Sequence, residues 1–537
     1  MRLATLRKQL MQPPRLASWR EWVVGLVAVE FIGGLVRGLV LRAQPGVWYF
    51  PDSKAYIYSL TYPRSTASRP GSVASFWYYL SFGHYHQHNI VLVQFIAGMI
   101  AIALLYDAVR RISGRWSALL WGGLYAALPI LAVFERTIMT EALTLDFLVG
   151  FFWAACIAFT VRPLWLRLVF VVTAIASLAA GGSIRTALWA PGIATAAVCI
   201  SLWVVSEILD RRSVLRVLSS LVAVGLCITA FVIPLQRNMT HNQQVFGFRT
   251  INAMAGSFLA SRWESVMPCT SSLAKQSDVR AALHQLCHAK STSQFPGFSM
   301  NLVWKTGTPI FQAGRLGPSL ALDQQELGVI TKHALLKHPT QVMASVGAVS
   351  LDELFGPLFV NIVQYDNGAQ MWVHEGNKQY RSVLIAWTQR DTAPKSGTMP
   401  VFGSIVRWNS KIPQVLLWLV LLGVLYRLSR FIWFDKARGI QNSSYVNRRL
   451  RRARVSLASI ASVFVIASVL SVALSAFASF RYVLVLLPAL IVLLALTWGL
   501  PPLGLRPQER GPKPAHDKSD ILESRGVGVT STLAEHA

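Results

Sequence analysis

The strongest constraint on this chain is a series of apolar stretches, each long enough to cross a lipid bilayer. A membrane-spanning helix needs about 20 predominantly apolar residues. Such stretches occur at 22–42, 90–108, 116–134, 143–161, 164–180, 186–206, 217–236, 413–429, 455–477 and 481–500. Of all residues, 53% are hydrophobic and only 14% charged, which excludes an ordinary soluble protein. The sequence predicts an all-α polytopic membrane protein with about ten transmembrane helices.

The basic residues predict how the chain is oriented in the membrane. Lys and Arg number 51 against 24 Asp and Glu, a net charge of +27. These residues lie in short segments next to apolar runs, so they indicate topology rather than nucleic-acid binding. Basic segments precede the first run and follow the second, fourth and sixth runs, and 430–454 is also basic. We therefore predict that these segments and both termini are cytoplasmic, in a multi-pass cell (inner) membrane.

This topology divides the chain into four parts. Residues 1–236 form a transmembrane module with a first external loop at 43–89, and 237–412 form an external, soluble α or α/β domain. Residues 413–500 return to the membrane, and 501–537 form a disordered cytoplasmic tail rich in Pro, Gly and charge. The apolar stretch 342–364 contains two acidic residues and would invert the basic linker if it spanned. We interpret it as an amphipathic or re-entrant segment.

The five cysteines fall into two groups. Cys156, Cys199 and Cys227 lie within predicted spans, where a thiol behaves as a small apolar group. Cys269 and Cys287 lie in the predicted external domain, where a disulfide is chemically permitted and would stabilise by about 3 kcal/mol. Two free thiols are the alternative.

Several ionisable residues lie in loops that this topology brings to the outer face. They are Asp52 after the first run, Arg136 and Glu141 between the third and fourth, Arg185 between the fifth and sixth, and Arg481 with Tyr482 before the last. A planar guanidinium suits phosphate oxygens, and a carboxylate can act as a general base. The pattern indicates a site where a bilayer-anchored sugar phosphate gives its sugar to an external acceptor.

Sequence motifs in the same loops resemble a known group of enzymes. They are PDSKAY, SRPGSVASFWYYLSFG, YDAVRRISGRWSALLWGGLYAALP, ERTIMTEAL, SIRTALWAPG and FRYVLVLLP. In this order they resemble the GT-C superfamily of polyprenyl-phosphate-sugar-dependent glycosyltransferases, which includes lipid A aminoarabinose transferases and protein O-mannosyltransferases. The resemblance covers roughly residues 20–240 and 455–500.

The resemblance implies a role for individual residues. Asp52 would be the general base or the group that orients the acceptor, and the transfer would invert the anomeric carbon. Arg69 and Arg481 would bind the donor phosphate, with Arg185 a weaker candidate. Many members carry two adjacent acids in the first loop, whereas Ser53 follows Asp52 here.

Each of these residues also has a structural interpretation. Asp52 could cap a helix that begins at AYIYSL, and Arg185 and Arg481 could reach lipid headgroups. Glu141 is favoured as an ion-pair partner of Arg136, with a role as a second acid near Asp52 left open. Within the first span, Glu30 and Arg37 are seven residues apart on one helix face and form a candidate ion pair, structural or functional.

The histidines of FGHYHQHNI leave metal binding open. His84, His86 and His88 would share one face of a strand, but a helix or loop is the favoured structure beside the second span. Interfacial histidines within an aromatic belt are the favoured interpretation. No cofactor is certain, and a divalent ion stays open because some members of the superfamily use one.

The sequence thus predicts a membrane glycosyltransferase that moves a hexosyl or pentosyl unit from a polyprenyl-phosphate donor to a lipid, glycan or protein acceptor outside the cytoplasm. The predicted partners are this donor, the acceptor and the bilayer, without nucleic acid. A glycan ligase or polymerase with a diphosphate-linked donor is a second interpretation. A transporter or flippase is a third, and it predicts related halves and paired helix breaks that are not found in the sequence.

Overall fold

The computed structural model describes residues 19–43, 47, 53, 56, 87–210, 214–263, 319–359, 411–430, 445–475 and 483–498. Every regular element in this part of the chain is a helix, which confirms the all-α fold class. The described residues lie in one compact unit, Ala17–Leu500. The predicted tail 501–537 lies outside the described residues.

The described residues of the N-terminal half form eight helices. They are α1 (Trp19–Ala43), α2 (Gln87–Ser113), α3 (Arg115–Ala126), α4 (Pro129–Glu135), α5 (Glu141–Thr160), α6 (Leu164–Ile184), α7 (Trp189–Asp210) and α8 (Val214–Phe246). A single 3-10 turn, Thr186–Leu188, precedes α7. Six further helices follow: α9 (Ala255–Arg262), α10 (Ser319–Lys337), α11 (Pro339–Phe359), α12 (Ile412–Arg430), α13 (Tyr445–Ser475) and α14 (Leu487–Trp498).

The helices that could span a membrane agree in position with most of the predicted runs. By length and composition, seven described helices qualify: α1, α2, α5, α6, α7 with its 3-10 turn, α8 and α13. Counting the bent pair α3–α4 as one span gives eight, and α12 and α14 contain shorter apolar helices. The described helix α14 has 12 residues, so it rises only about 18 Å. A total of ten spans therefore stays a prediction.

The third predicted span, 116–134, is broken in the structure. Helices α3 and α4 bend by 52° at the break between them. Leu128 adopts extended backbone angles, φ −76° and ψ 109°, and Pro129 begins α4. Proline disfavours the helical conformation of the residue before it and has no N–H for the preceding turn. The run 116–134 therefore forms two helices, which together still have the composition of one span.

Helix α5 lies at the centre of the apolar bundle. It is buried along most of its length, as expected for a helix that is hydrophobic on all sides. Phe151 and Phe152 meet edge to face with ring centroids 4.9 Å apart, and Phe152 meets Phe464 of α13 at 6.1 Å. Cys156, Cys199 and Cys227 are buried and unbonded, in agreement with their predicted role as apolar groups.

Basic residues collect at one end of the bundle. At this end Asp107 Oδ2 lies 2.6 Å from Arg111 Nε, and Glu21 Oε1 lies 3.4 Å from Arg115 Nη1. Arg167 Nη2 and Glu207 Oε1 form a buried pair at 2.7 Å. The predicted outer-face residues Arg136, Glu141 and Arg185 lie at the opposite ends of their helices. The basic residues and the predicted outer-face residues therefore lie at opposite ends of the bundle, in agreement with the predicted topology. Which end faces the cytoplasm stays a prediction.

Outside the bundle core, α9 caps the end of α13. The buried Arg262 donates from Nε to the carbonyl of Ala473 at 3.1 Å and from Nη2 to Ser345 Oγ at 3.0 Å. The Trp263 indole donates to the carbonyl of Leu474 at 2.9 Å. Carbonyls in the last turn of a helix have no intrahelical partner, so these side chains fix where α13 ends. Burial lowers the pKa of Arg262 to about 10, which leaves it charged at neutral pH.

The predicted external domain is described only in part. Helix α8 continues to Phe246, ten residues past the predicted end of its span, and Asn242 holds the chain that follows by donating to the carbonyl of Thr250 at 2.7 Å. Most of 342–364 lies in α11, which is not among the described helices with the composition of a span. Whether it is re-entrant stays open, as does the division into domains.

Candidate functional site

The structure describes three of the predicted site residues: Arg136, Glu141 and Arg185. The others lie outside the described residues, namely Asp52, Arg69, Arg481, Tyr482, His84, His86 and the cysteines Cys269 and Cys287, and the side chain of His88 at the start of α2 also lies outside them. Their roles stay predictions.

Glu141 and Arg185 form a buried ion pair at the predicted outer end of the bundle. Arg185 Nη1 lies 2.9 Å from Glu141 Oε1, with the two side chains 9% and 4% exposed. Glu141 is the first residue of α5, where a carboxylate is favoured by the helix dipole. Arg185 follows α6 in an extended conformation, φ −128° and ψ 103°. The two neighbouring helices therefore each bring one charge to the same edge.

This pairing differs from the one favoured on the sequence, which joined Glu141 to Arg136. Arg136 instead donates from Nη1 to the carbonyl of Val40 on α1 at 3.2 Å. It directly follows the last residue of α4 as its C-cap and begins the turn 136–140 that leads to α5. Burial lowers the pKa of Arg136 to about 10, so the guanidinium remains charged at neutral pH.

The predicted first external loop reaches the same edge. Tyr56 is buried, and its hydroxyl lies 3.2 Å from Thr140 Oγ1. Thr140 directly precedes Glu141, and Ser53 is also buried. Tyr56 stands four residues after Asp52 in the sequence. This contact joins the predicted catalytic loop to the turn that leads into α5.

A second buried ion pair, which the sequence analysis missed, lies behind this edge. Arg37 Nε donates to Glu135 Oε2 at 2.7 Å, and Arg37 Nη2 also contacts Glu135 Oε1. The sequence suggested Glu30 as the partner, but in the structure the Arg37 guanidinium binds both carboxylate oxygens of Glu135. Glu135 adjoins Arg136 in the ERTIMTEAL motif. An acidic residue at the end of a predicted span usually has a charged partner, so Glu135 itself was the signal from which such a pair could have been predicted.

The described residues contain neither a large cavity at this pair nor a metal cluster. The cavity lined by Arg37, Glu135 and Asp146 has room for about one water molecule, which is too small for a sugar. No group of three or more His, Cys, Asp or Glu that could hold a metal occurs in the described part of the chain. Because His84 and His86 lie outside it, metal binding stays open.

Comparison with known proteins finds a family match over one segment of the chain. Residues 73–184 match the family described as dolichyl-phosphate-mannose-protein mannosyltransferase. The predicted resemblance to the GT-C glycosyltransferases is confirmed. The match covers about a fifth of the chain and includes Arg136 and Glu141 but not Asp52, Arg69 or Arg185. It supports a membrane glycosyltransferase of the GT-C type and leaves the donor, the sugar and the acceptor undetermined.

Two crystal structures of an Archaeoglobus fulgidus oligosaccharyltransferase are also similar. The apo form has a TM-score of 0.37 at 12% identity, and the form tethered by a disulfide to an acceptor peptide with the NVT sequon has 0.36 at 11%. Each covers 90% of this chain, which spans about half the length of those structures. At such TM-scores the likeness defines neither a fold nor a site for this chain. No curated protein matches the sequence significantly.

Proposed function

We propose that this chain transfers a sugar from a polyprenyl-phosphate donor to an acceptor on the extracytoplasmic face of the membrane. The observation that carries the proposal is the buried Glu141–Arg185 pair, at the edge that the first external loop reaches through Tyr56 and Thr140. The family match over 73–184 supports the same reaction class. The donor's apolar chain requires a bilayer-embedded protein, in agreement with the helices described above.

In the proposed reaction, an acceptor hydroxyl attacks the anomeric carbon of the donor. A bond forms between the acceptor oxygen and this carbon, the bond from the carbon to the phosphate oxygen breaks, and its electron pair leaves with the polyprenyl phosphate. The hydroxyl proton passes to the carboxylate of Asp52, acting as general base. Arg69, Arg481 and Arg185 would stabilise the charge on the departing phosphate. Arg136 and Tyr482 would also bind the substrate, and Glu141 would be a second acid of the site.

The proposal is tested with membrane vesicles that contain or lack the chain, supplied with radiolabelled short-chain polyprenyl-phosphate mannose, glucose or arabinose. We expect at least one of these donors to lose its sugar to material in the vesicles only when the chain is present. Turnover restricted to polyprenyl-diphosphate donors would favour the ligase or polymerase instead. Turnover restricted to nucleotide sugars, or movement of intact donor between leaflets without transfer, would contradict the proposal.

The proposed topology places 237–412 outside and 430–454 inside. We expect a cysteine introduced at position 300 or 380 to react with a membrane-impermeant thiol reagent in intact cells. A cysteine at 445 should react only after permeabilisation. The chain without the added cysteine gives the background from its own thiols. The reverse labelling pattern would invert the topology and move the proposed site to the cytoplasmic face.

A further inference from the structure

A set of buried polar contacts fastens the 136–140 turn to two membrane helices. The first contact is the Arg37–Glu135 pair, in which Nε and Nη2 of the guanidinium each bind one carboxylate oxygen and each side chain is only 4% exposed. This two-bond geometry fixes orientation as well as charge. Arg37 Nη1 also donates to the carbonyl of Gly33 at 3.2 Å. The end of α4 is thereby held at a defined height on α1.

The second contact comes from α2. The fully buried amide of Gln94 donates from Nε2 to the carbonyl of Glu135 at 2.9 Å and to the carbonyl of Thr137 at 3.0 Å. Glu135 is the last residue of α4, so its carbonyl lacks an intrahelical partner, while the Thr137 carbonyl in the turn also accepts from the Met139 N–H at 2.8 Å. One side chain therefore holds the backbone on both sides of Arg136. A β-carbon at Gly98, one turn along α2, would overlap the Glu135 carboxylate.

The third contact links the turn directly to α1 again. Arg136 donates to the carbonyl of Val40, which lies three residues beyond Arg37 on the same helix. Glu135 and Arg136, which are consecutive, are thus bound to α1 at two positions about one helical turn apart. At its other end the turn reaches Thr140, which meets Tyr56, and then Glu141, which meets Arg185.

We propose that Arg37, Gln94 and Glu135 are positioning residues for the transfer reaction. They hold the 136–140 turn so that Arg136, and Arg185 through its ion pair with Glu141, are placed for the donor phosphate at the proposed outer edge. This inference rests on the proposed function, and it assigns no chemical step to the three residues. Mispositioning a reacting group by about 1 Å can cost about 100-fold in rate, so loss of these contacts should impair catalysis in the molecules that remain folded.

The structure supplies a matched control at the opposite end of the bundle. Arg167 and Glu207 form an equally buried pair, 2.7 Å apart with side chains 3% and 0% exposed. Arg167 also donates to the carbonyl of Ala158 near the far end of α5. Helix α5 has 20 residues, which places this pair about 25 Å from Glu141. Breaking either pair leaves a buried charge, but only the Arg37–Glu135 pair adjoins the 136–140 turn.

The first readout is catalysis per folded molecule, with Glu135→Gln, Gln94→Met and Glu207→Gln purified and reconstituted in parallel. We expect the first two variants to lose about 100-fold in kcat/KM for the donor. Glu207→Gln should stay within about threefold of the parent after correction for the folded fraction. Equal kcat/KM values for the three variants would show a merely structural role and overturn the inference.

The second readout requires no activity. Thr140 is 1% exposed, so a cysteine there should react slowly with a charged thiol reagent. We expect its labelling rate to rise at least tenfold in the Glu135→Gln and Gln94→Met backgrounds and to stay unchanged with Glu207→Gln. Cys269 and Cys287 are replaced by serine, and the same chain without Thr140→Cys gives the background.

The two readouts separate failure of the inference from failure of the proposed function. If no lipid-linked sugar is turned over but labelling at 140 still rises, the contacts hold the turn and the proposed reaction is wrong. If labelling rises while kcat/KM is unchanged, the reaction stands and the positioning role is wrong. Unchanged labelling in both variants contradicts the role of these residues in holding the turn.

Discussion

Replacing Asp52 by asparagine is expected to reduce sugar transfer by about 10²–10⁴-fold, the usual contribution of a general base. Asparagine keeps the size and the hydrogen-bonding capacity of the side chain but cannot accept the acceptor's proton at neutral pH. The measurement is the transfer rate from the active polyprenyl-phosphate donor in reconstituted vesicles. Donor binding should change little, since the predicted phosphate ligands are the arginines.

The same position distinguishes catalysis from helix capping. Asparagine caps a helix about as well as aspartate, whereas alanine does not and costs about 1 kcal/mol. If Asp52 is only a cap, Asp52→Asn is fully active and Asp52→Ala is the destabilised variant. If Asp52 is the base, both variants are inactive although only the second loses stability. Full activity of Asp52→Asn would remove the catalytic assignment.

The second large effect is expected at the Glu141–Arg185 pair. Arg185→Met leaves a buried carboxylate without its cation, which costs about 3–5 kcal/mol in the free energy of unfolding. The double variant Arg185→Met with Glu141→Leu removes both charges and should regain most of that stability. Neither variant should regain transfer, because removing a charged group that stabilises the transition state costs about 10²–10³-fold. Thermal unfolding in detergent and the vesicle assay measure the two effects.

A parallel cycle at Arg167 and Glu207 controls for the removal of any buried pair. There the stability pattern should be the same, because the two pairs are similarly buried, while the transfer rate per folded molecule should persist. A double variant at Glu141 and Arg185 that transfers sugar at the parental rate would show that this pair serves stability alone.

Much of the bundle could be predicted because a membrane span is a local property of the sequence. A run of about 20 apolar residues is sufficient to identify one, and α1, α2, α5, α6 and α7 lie where these runs predict them. Pro129 also lies in the third apolar run, but the sequence did not lead us to predict the helix break there. The run is apolar throughout, so its hydropathy gives no sign that Pro129 lacks the N–H needed to continue α3.

The site was predicted less well because its contacts are long-range. The sequence identified Arg136, Glu141 and Arg185 as external-edge residues, and the structure brings Glu141 and Arg185 together. It did not identify Gln94 or Glu135, whose roles depend on how α2 packs beside α4. An amide or a carboxylate in a span signals a polar contact without naming the partner.

The sequence by itself determined that the chain forms a membrane-embedded helical bundle and that its motifs resemble those of GT-C glycosyltransferases, since apolar length, basic loops and motif order are all read along the chain. Only the tertiary structure decided which charges meet. Arg37 binds Glu135, which lies 98 residues away, rather than Glu30 on its own helix, and Glu141 binds Arg185 rather than Arg136 five residues before it. A buried charge must find a counter-charge within a few ångströms, and that distance is set by how the helices pack.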